Sequence, residues 1–130
     1  MVLDASVAVE DLLRTALGER ADALLVDADV AAPALIDAEV LAVLRREVMK
    51  GRLVEERADE AVEDLRDWGM ERVPHRDLLA GAWALRGHVT AYDVLYVELA
   101  RTRGVPLLTA DGPLARASGL GIAVHNVRNA

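Results

Sequence analysis

Short apolar segments alternate along the chain with longer amphipathic segments, a pattern that predicts strands alternating with helices. The segments that we interpret as strands are residues 1–4, Val30–Ala32, Met70–Val73, Val105–Thr109 and Ile122–Val127. The predicted helices span about Ser6–Leu17, Glu19–Asp27, Ala34–Lys50, Val54–Trp68, Arg76–Arg86 and Ala91–Arg103, with a short helix after Asp111. This alternation favours an α/β fold in which helices cover both faces of a parallel sheet.

Hydroxyl and glycine residues set the predicted ends of these helices. We expect Ser6 and Thr90 to cap helices, because their side chains can accept hydrogen bonds from free backbone N–H groups. Gly18 and Gly104 each follow a helical segment and favour its termination. No internal repeat or linker interrupts this order, so residues 1–130 are predicted to form a single domain.

Four acidic residues end or interrupt the apolar segments. Asp4 and Asp111 follow predicted strands, and ligands of parallel sheets bind at such carboxyl ends. Glu39 has apolar neighbours one helical turn away in both directions, and Asp93 opens an almost wholly apolar run. Ionised carboxylates are costly to bury unless they are paired or bound to a metal. The four acids are therefore predicted to share one site, with the oxygen ligands that Mg²⁺ prefers.

Three of these acids also have a purely structural interpretation. Asp93 could form a capping box with Thr90 at the start of the helix that follows. Asp111 could cap a short helix or occupy a turn, and Asp4 could be a turn residue after the first strand. Glu39 is the hardest of the four to explain in this way, because a solvated helix face would not place apolar residues around it. For Asp93 the two interpretations are compatible with each other.

The helix that contains Glu39 also carries two candidate phosphate-binding cations. Arg46 and Lys50 follow Glu39 at seven- and eleven-residue spacings, so all three fall on one stripe of the helix. This stripe would present a metal ligand at one end and phosphate-binding positive charge at the other. The alternative is that both cations are solvated residues near a helix C-terminus, where positive charge is favoured in any case.

Composition excludes several classes of protein. Hydrophobic residues make up 53% of the chain, which is far from the composition of disordered proteins. There is no Cys, and so no disulfide, thiolate nucleophile or zinc–thiolate site. The net charge of −7 and the absence of Phe argue against a non-specific nucleic-acid binder. The N-terminal residues do not resemble a secretory signal, and no apolar run is long enough for a membrane span, so we expect a cytoplasmic location.

Four short motifs occur in order along the chain. They are Asp4-Ala5-Ser6, Pro33-Ala34-Leu35 with Glu39-Val40 and Leu44-Arg45-Arg46, Thr90-Ala91-Tyr92-Asp93 with Tyr96, and Leu108-Thr109-Ala110-Asp111. In this order and at these spacings they resemble the motifs of the PIN-domain ribonucleases. Within that family the chain is most similar to the VapC-type toxins of bacterial toxin–antitoxin pairs.

The resemblance implies a three-layer α/β/α sandwich with a five-stranded parallel sheet. It also implies endonucleolytic cleavage of RNA that depends on Mg²⁺ or Mn²⁺, often of structured RNA such as tRNA or ribosomal RNA. By motif position, the residues implied to be catalytic and metal-binding are Asp4, Glu39, Asp93 and Asp111, with Ser6 and Thr109 as flanking polar residues.

The chemistry of phosphodiester hydrolysis is consistent with these residues. A carboxylate-held Mg²⁺ can activate water and clamp a phosphate, and the chain has no cysteine for covalent catalysis. Asp4 and Asp93 are our first choice as direct ligands. Glu39 and Asp111 could bind a second metal, orient water or act through water, and the sequence does not separate these roles.

The resemblance further implies a co-encoded antitoxin, since a free ribonuclease would harm its own cell. We expect a homodimer that binds a small antitoxin, whose C-terminal tail lies across the acidic cleft. A basic side chain of that tail would suit the charge of the carboxylates and exclude the metal.

Other functional classes are weighed against this hypothesis. A phosphatase with an aspartyl nucleophile requires a second Asp where this chain has Ser6. A receiver-like signalling domain requires a Lys at a late strand end, whereas Lys50, the sole lysine, lies on a predicted helix. A catalytically silent PIN-like binding domain is the remaining alternative, and the intact set of four acids argues against it.

Overall fold

In the computed structural model, which describes residues 1–90, 92–117 and 119–129, five parallel strands form one sheet. The strands are β1 (Val2–Leu3), β2 (Ala31–Pro33), β3 (Glu71–Val73), β4 (Leu107–Thr109) and β5 (Val124–Asn126). Their order across the sheet is β3-β2-β1-β4-β5. The three central strands are buried throughout, which explains why their sequences are continuous apolar runs rather than alternating ones.

Within the residues that the structure describes, seven α-helices connect and follow these strands. They are α1 (Ala5–Leu12), α2 (Ala16–Leu25), α3 (Leu35–Met49), α4 (Glu55–Asp67), α5 (Leu79–Ala84), α6 (Asp93–Arg103) and α7 (Gly112–Arg116). Short 3-10 helices occur at Arg76–Leu78 and Val127–Asn129. None of the helices in the described residues is long and apolar enough to cross a membrane.

The strand order places helices on both faces of the sheet. From β1 to β3 the chain moves toward one edge, and it then returns to the other side of β1 to form β4 and β5. Because crossovers between parallel strands are right-handed, α1 to α4 cover one face and the later helices cover the other. The contacts agree, since α1 packs against α2, α3 and α4, whereas α6 packs against α5 and the central strands. The predicted three-layer α/β/α fold is confirmed.

Two predicted helix boundaries are wrong, and the contacts of Ser6 and Gly18 explain both errors. Ser6 lies inside α1, and the N-cap position is held by Asp4, to which the Ser6 hydroxyl donates a hydrogen bond. Gly18 lies inside α2, whose N-cap is Thr15, because the Thr15 side chain accepts a hydrogen bond from the Gly18 N–H group. The chain breaks earlier than predicted, at Arg14, which has a φ of 56°.

Other boundaries differ from the prediction by a few residues. The predicted helix Arg76–Arg86 is divided into a 3-10 turn and α5. The helix predicted to begin at Ala91 begins at Asp93, and Ala91 itself lies outside the described residues. Gly104 ends α6 as predicted, in the left-handed conformation with a φ of 63°.

Candidate active site

The topology brings two of the four acids together at the point where the strand order reverses. β1 lies between β2 and β4, and the chain leaves β1 and β4 toward opposite edges of the sheet. Asp4 directly follows β1, and Asp111 lies two residues beyond the end of β4. The Asp4 N–H group donates to the Leu108 carbonyl at 3.0 Å, which links the two strand ends. Such a switch point is where open α/β sheets bind their ligands.

Two hydroxyl groups hold the Asp4 carboxylate. Its side chain is buried, with 6% exposure, and Oδ2 accepts hydrogen bonds from Ser6 Oγ at 2.6 Å and Thr109 Oγ1 at 2.8 Å. The same hydroxyls also accept from the backbone, Ser6 from the Ala110 N–H and Thr109 from the Asp111 N–H. Ser6 and Thr109 therefore fix the carboxylate and the loop after β4 in one network, in the flanking positions predicted for them.

A buried tyrosine holds the Glu39 side chain. Glu39 lies in the second turn of α3 and accepts a hydrogen bond at 2.7 Å from the hydroxyl group of Tyr96, which is fully buried on α6. Helix α3 covers one face of the sheet and α6 the other, so this bond joins the two helical layers beyond the strand ends. It orients Glu39 toward the end of the sheet where Asp4 lies.

Asp111 has the capping contact that the sequence suggested, and Asp93 is hydrogen-bonded to Thr90. Asp93 Oδ2 accepts a hydrogen bond from Thr90 Oγ1 at 3.0 Å, and the Asp93 N–H donates to the same hydroxyl at 3.4 Å. Asp111 is the N-cap of α7, and its Oδ1 accepts from the Leu114 N–H at 3.3 Å. The structural interpretation therefore holds for Asp111. For Asp93 the capping box is incomplete, because the N-cap of α6 is Tyr92 rather than Thr90 and the Asp93 carboxylate accepts from the Thr90 hydroxyl rather than from its N–H group. Both carboxylates also line the cleft described next.

All four acids line one open cleft of about 490 Å³. Its other walls are the small and apolar residues around Glu39 on α3 and the aromatic ring of Tyr92. Arg46 lines the same cleft, as the stripe on α3 predicted. Lys50 is exposed at the C-cap of α3 and is not among the described residues that line the cleft, so its role in RNA binding stays a prediction.

The carboxylates make one another harder to ionise. Burial raises the pKa values of Asp4, Glu39 and Asp93 above their ordinary range, and repulsion between the acids adds to this effect. The charge that raises the pKa of Asp4 comes from Asp111, and the charge that raises those of Glu39 and Asp93 comes in part from Asp4. The site therefore concentrates negative charge that a cation would relieve.

The donor set fits a hard divalent cation in its chemistry. Four carboxylates around one cleft are the oxygen ligands that Mg²⁺ and Mn²⁺ take. Within the described residues, however, no group of three or more acidic, His or Cys side chains is close enough to hold a metal ion directly. The two observations are compatible, because repelling carboxylates stand apart and Mg²⁺ usually keeps several water ligands.

The sequence did not reveal two of the residues that shape this site. Tyr96 was part of a motif, but nothing in the sequence indicated that its hydroxyl would reach Glu39, since the two residues are 57 positions apart. His75 Nε2 accepts a hydrogen bond at 3.0 Å from the Leu35 N–H group, at the start of α3. Both contacts form between elements distant in sequence, so no local pattern could have predicted them.

Comparisons with known proteins agree with this geometry. The family model described as PIN domain matches residues 1–120. The chain is 44% identical over 120 residues to Ribonuclease VapC3 of Mycobacterium tuberculosis, a match that covers 90% of this chain and 86% of that protein. It is also 46% identical over 98 residues to Ribonuclease VapC1 of the same organism, covering 75% and 74%.

Solved structures share the fold. A member of the VapBC family of toxin–antitoxin systems, VapBC-5 from M. tuberculosis, superposes with a TM-score of 0.62 at 27% identity, covering 96% of both chains. FitAcB from Neisseria gonorrhoeae superposes with a TM-score of 0.69 at 20% identity, covering 99% of both chains, and at this identity the likeness shows the fold alone.

Proposed function

The chain belongs to the PIN-domain family and to its VapC-type members, and we propose that it is a metal-dependent endoribonuclease toxin of a toxin–antitoxin pair. The proposed substrate is structured RNA such as tRNA or ribosomal RNA, and the proposed place of action is the cytoplasm. Relatives at 44–46% identity are named ribonucleases, which supports the activity. The observation that carries the proposal is the joining of four carboxylates in one cleft at the switch point of the sheet.

The four carboxylates have different surroundings, which supports different roles. Asp4 is the most buried of them and is fixed by two hydroxyls, and Asp93 faces it from the first turn of α6. We propose these two as the direct ligands of Mg²⁺ or Mn²⁺. Glu39 and Asp111 would complete the site, through water or at a second ion. When bound, such a cation supplies activation of a water molecule and neutralisation of charge on the phosphoryl oxygens.

Arg46 is the residue of this cleft that can bind the substrate backbone. Its guanidinium group can hold a phosphate through paired hydrogen bonds, and its place on the wall formed by α3 puts positive charge beside the acids. Local positive charge is needed because the chain as a whole carries −7 and repels RNA at long range. Lys50, further along α3, would extend this contact.

An antitoxin would neutralise the nuclease. A structural neighbour at 27% identity is a member of the VapBC family of toxin–antitoxin systems, which supports a partner of this kind. We propose that the antitoxin places a basic side chain on the carboxylates, where it would exclude the metal and relieve their repulsion. We also propose that the chain is a homodimer, and light scattering at micromolar concentration that gives a monomer would remove this part of the proposal.

The activity is tested by replacing each acid of the cleft with its amide. We expect RNA cleavage to be abolished by each of four substitutions: Asp4→Asn, Glu39→Gln, Asp93→Asn and Asp111→Asn. EDTA should abolish cleavage by the wild type. Removal of a repelling charge should leave the thermal stability of the metal-free protein unchanged or raised. Asp59→Asn, at an exposed acid of α4, is the matched control and should cleave normally. Cleavage that resists EDTA, or survives in all four variants, would reject the proposal.

The target RNA is identified in cells. Sequencing RNA 5′ ends after brief induction of the wild type should show new ends at a few positions of structured RNAs, and Asp4→Asn should show none. Unchanged growth and unchanged RNA ends in the wild type would favour a catalytically silent relative of the same fold.

A further inference from the structure

Tyr92 is a large aromatic residue that stays exposed at the edge of the acidic cleft. It is the N-cap residue of α6, directly before Asp93, and 62% of its surface is exposed. It lines the cleft together with the four carboxylates. Aromatic residues are scarce in this chain, which contains two Tyr, two Trp and no Phe. An exposed ring beside the proposed metal site is therefore a candidate for contact with a ligand.

The fold makes little use of the Tyr92 side chain. This side chain forms no capping hydrogen bond for α6. Among the described residues, Tyr92 belongs neither to the buried core nor to the partly buried residues that pack against it. Tyr96, one helical turn later, is the opposite case, because its ring is fully buried and its hydroxyl group donates to Glu39. Contacts within the described chain thus explain Tyr96 and leave the exposed ring of Tyr92 for another role.

The side of the cleft that α3 forms leaves space for a flat group. Ala38 and Ala42 follow one another at a four-residue spacing, both are exposed, and Arg46 continues the same row. Their short side chains keep the cleft open between α3 and the start of α6, where Tyr92 lies. A nucleobase has an apolar face that stacks on an aromatic ring, so it suits a space with a ring on one side and an apolar helix surface on the other.

The charge of the protein favours a contact with RNA that is not electrostatic. The chain carries a net charge of −7, and Arg46 is the basic residue among those of the described chain that line the cleft. One phosphate contact supplies little affinity at physiological salt against this overall repulsion. Stacking of a base on an aromatic ring does not depend on net charge. Removing such a ring weakens binding by about fivefold to about a hundredfold.

A protein partner fits this position less well than a nucleobase does. Interfaces between proteins are marked by contiguous exposed apolar surface. Of the large apolar residues that the described structure exposes, Tyr92 is the one that lines the cleft, and its exposed neighbours there are alanines and charged residues. A single ring among small and charged side chains can stack on one base but offers little area to another protein.

We propose that the Tyr92 ring stacks on a nucleobase of the bound RNA, beside the phosphate that reacts at Asp4 and Asp93, and that Tyr92 is thus a substrate-binding residue of the nuclease. This inference rests on the proposed function. Because Tyr92 directly precedes Asp93, the stacked base belongs to a nucleotide next to the cleaved bond. That base must leave its neighbours in the RNA before it reaches the ring.

Steady-state cleavage of a short RNA that spans the cleavage position identified in cells separates binding from chemistry. Tyr92→Ala should raise KM about tenfold and leave kcat within about twofold of the wild type, because the ring binds substrate and transition state equally. Tyr92→Leu keeps an apolar side chain without a planar ring and should behave like Tyr92→Ala. Tyr92→Phe keeps the ring and should retain the KM of the wild type.

RNA oligonucleotides that each lack one base identify the stacked nucleotide. At one position next to the cleaved bond, loss of the base should raise the KM of the wild type about tenfold and leave that of Tyr92→Ala unchanged, because the variant has already lost the contact. A structural role of Tyr92 would not depend on a single base. The defect of Tyr92→Ala should also persist between about 50 and about 200 mM salt, whereas that of Arg46→Gln should diminish as phosphate contacts weaken.

The outcomes separate this inference from the proposed function. If the wild type cleaves RNA and the variants of Tyr92 share its KM, or if no abasic position shows this coupling, only the stacking assignment is overturned. If Tyr92→Ala lowers kcat and reduces the rise in melting temperature caused by Mg²⁺, the residue acts through Asp93, and the assignment is overturned. A variant that weakens antitoxin binding but keeps the KM for RNA assigns the ring to the antitoxin instead. If the wild type cleaves no RNA, the proposed function fails and the assignment fails with it.

Discussion

Asp4 shows how single side chains carry the chemistry of this protein. A buried carboxylate lowers stability unless hydrogen bonds satisfy it, and the hydroxyls of Ser6 and Thr109 do so here. Those bonds do not remove the repulsion from Asp111, so the pKa of Asp4 stays raised, chiefly by burial. Asp4 is thus held in place at a cost to the stability of the free protein, which is the balance that we expect of a metal-binding carboxylate.

The contact between Tyr96 and Glu39 gives a direct prediction. Tyr96→Phe keeps the buried ring and removes only the hydroxyl that donates to Glu39 at 2.7 Å. We expect cleavage to fall about tenfold, the effect of losing one hydrogen bond to a charged group, with about 1 kcal/mol lost in stability. Tyr92→Phe, at the exposed ring on the rim of the cleft, is the control. Equal cleavage by both variants and the wild type would show that Glu39 needs no such support.

A second prediction concerns stability against pH. Burial raises the pKa values of Asp4, Glu39, Asp93 and Asp11 in the folded chain, so the folded state binds protons that the unfolded state has released. An acid whose pKa is higher in the folded chain than in the unfolded chain contributes its full stabilisation below the unfolded-state pKa, near 4. This contribution is lost as the pH rises from that pKa to the pKa of the folded chain. For Asp11 that window extends to about 7.

Thermal melts in EDTA between about pH 4.5 and about pH 8 test this prediction. The stability contributed by these acids should decline across this pH range. The free energy of unfolding of Asp11→Asn should therefore increase relative to that of the wild type as the pH rises, by on the order of 1 kcal/mol after allowance for solvent screening. A difference between Asp11→Asn and the wild type that does not change with pH would contradict the raised pKa of Asp11.

Residue chemistry was only partly predictable from the sequence. The four acids stood out because each interrupts or ends an apolar segment, and the structure brings all four to one cleft. Their individual roles stay predictions. The hydrogen bond from Tyr96 and the cap from His75 depend on side chains that meet across 57 and 40 positions, so the sequence could not indicate them.

At the level of helices and strands, the order of β1, β2 and β4 matters most for the site. The chain extends from β1 to one edge of the sheet and later to the other, which opens a crevice at the ends of β1 and β4. Helix α3 then brings Glu39 over this crevice from one face and α6 brings Asp93 from the other. The alternation of apolar and amphipathic segments was sufficient to predict these elements, and the family resemblance implied a five-stranded sheet in a three-layer fold. The strand order was not predicted, because it depends on which strands pair across long stretches of sequence.

The errors in element boundaries also have physical reasons. We predicted that Gly18 ends a helix, whereas Gly18 lies inside α2 and allows α2 to approach α1 closely. A Cβ atom at Gly18 would meet the carbonyl oxygen of Glu10 and lie 2.9 Å from the Asp11 Cα atom. No local pattern reports such a contact. Similarly, the hydroxyl of Ser6 is used by Asp4 and the loop after β4, and so it is not available as a cap.

The packing at Gly18 can be tested by one substitution. Gly18→Ala should destabilise the protein by about 1–3 kcal/mol, because the new methyl group meets backbone atoms of α1 that cannot move independently. Gly87→Ala is the control, since a Cβ there meets no atom within 4 Å. Chemical denaturation of the two variants checks the prediction. A stable Gly18→Ala variant would show that α1 and α2 are less closely packed than described.

At the scale of the whole molecule, one sheet lies between two helical layers, and four carboxylates line the cleft at the ends of its strands. Burial and mutual repulsion raise the pKa values of Asp4, Glu39 and Asp93, and we propose that a metal ion neutralises this charge. Without such an ion, the negative charge gathered at the cleft lowers stability through repulsion. The free chain should therefore gain stability from a cation that binds there.

Mg²⁺ should accordingly raise the melting temperature. A ligand that binds only the folded state stabilises it by mass action, by about 2.7 kcal/mol at a hundredfold excess over the Kd. Thermal melts with increasing Mg²⁺ or Mn²⁺ should show a progressive rise in the wild type and a smaller one in Asp4→Asn. Calorimetry that detects no binding of either ion at millimolar concentration would remove the metal from the proposal.

Cleavage of RNA by Asp93→Asn is the measurement on which the proposed nuclease rests most heavily. Asp93 is the acid with the strongest structural alternative, because it is already hydrogen-bonded to Thr90 at the start of α6, and an amide can keep that contact. Purified wild type with Mg²⁺ should cleave the RNA identified in cells, and Asp93→Asn should fold as stably and cleave none of it. Full activity in a well-folded Asp93→Asn variant would make Asp93 a helix cap alone and contradict the shared acidic site.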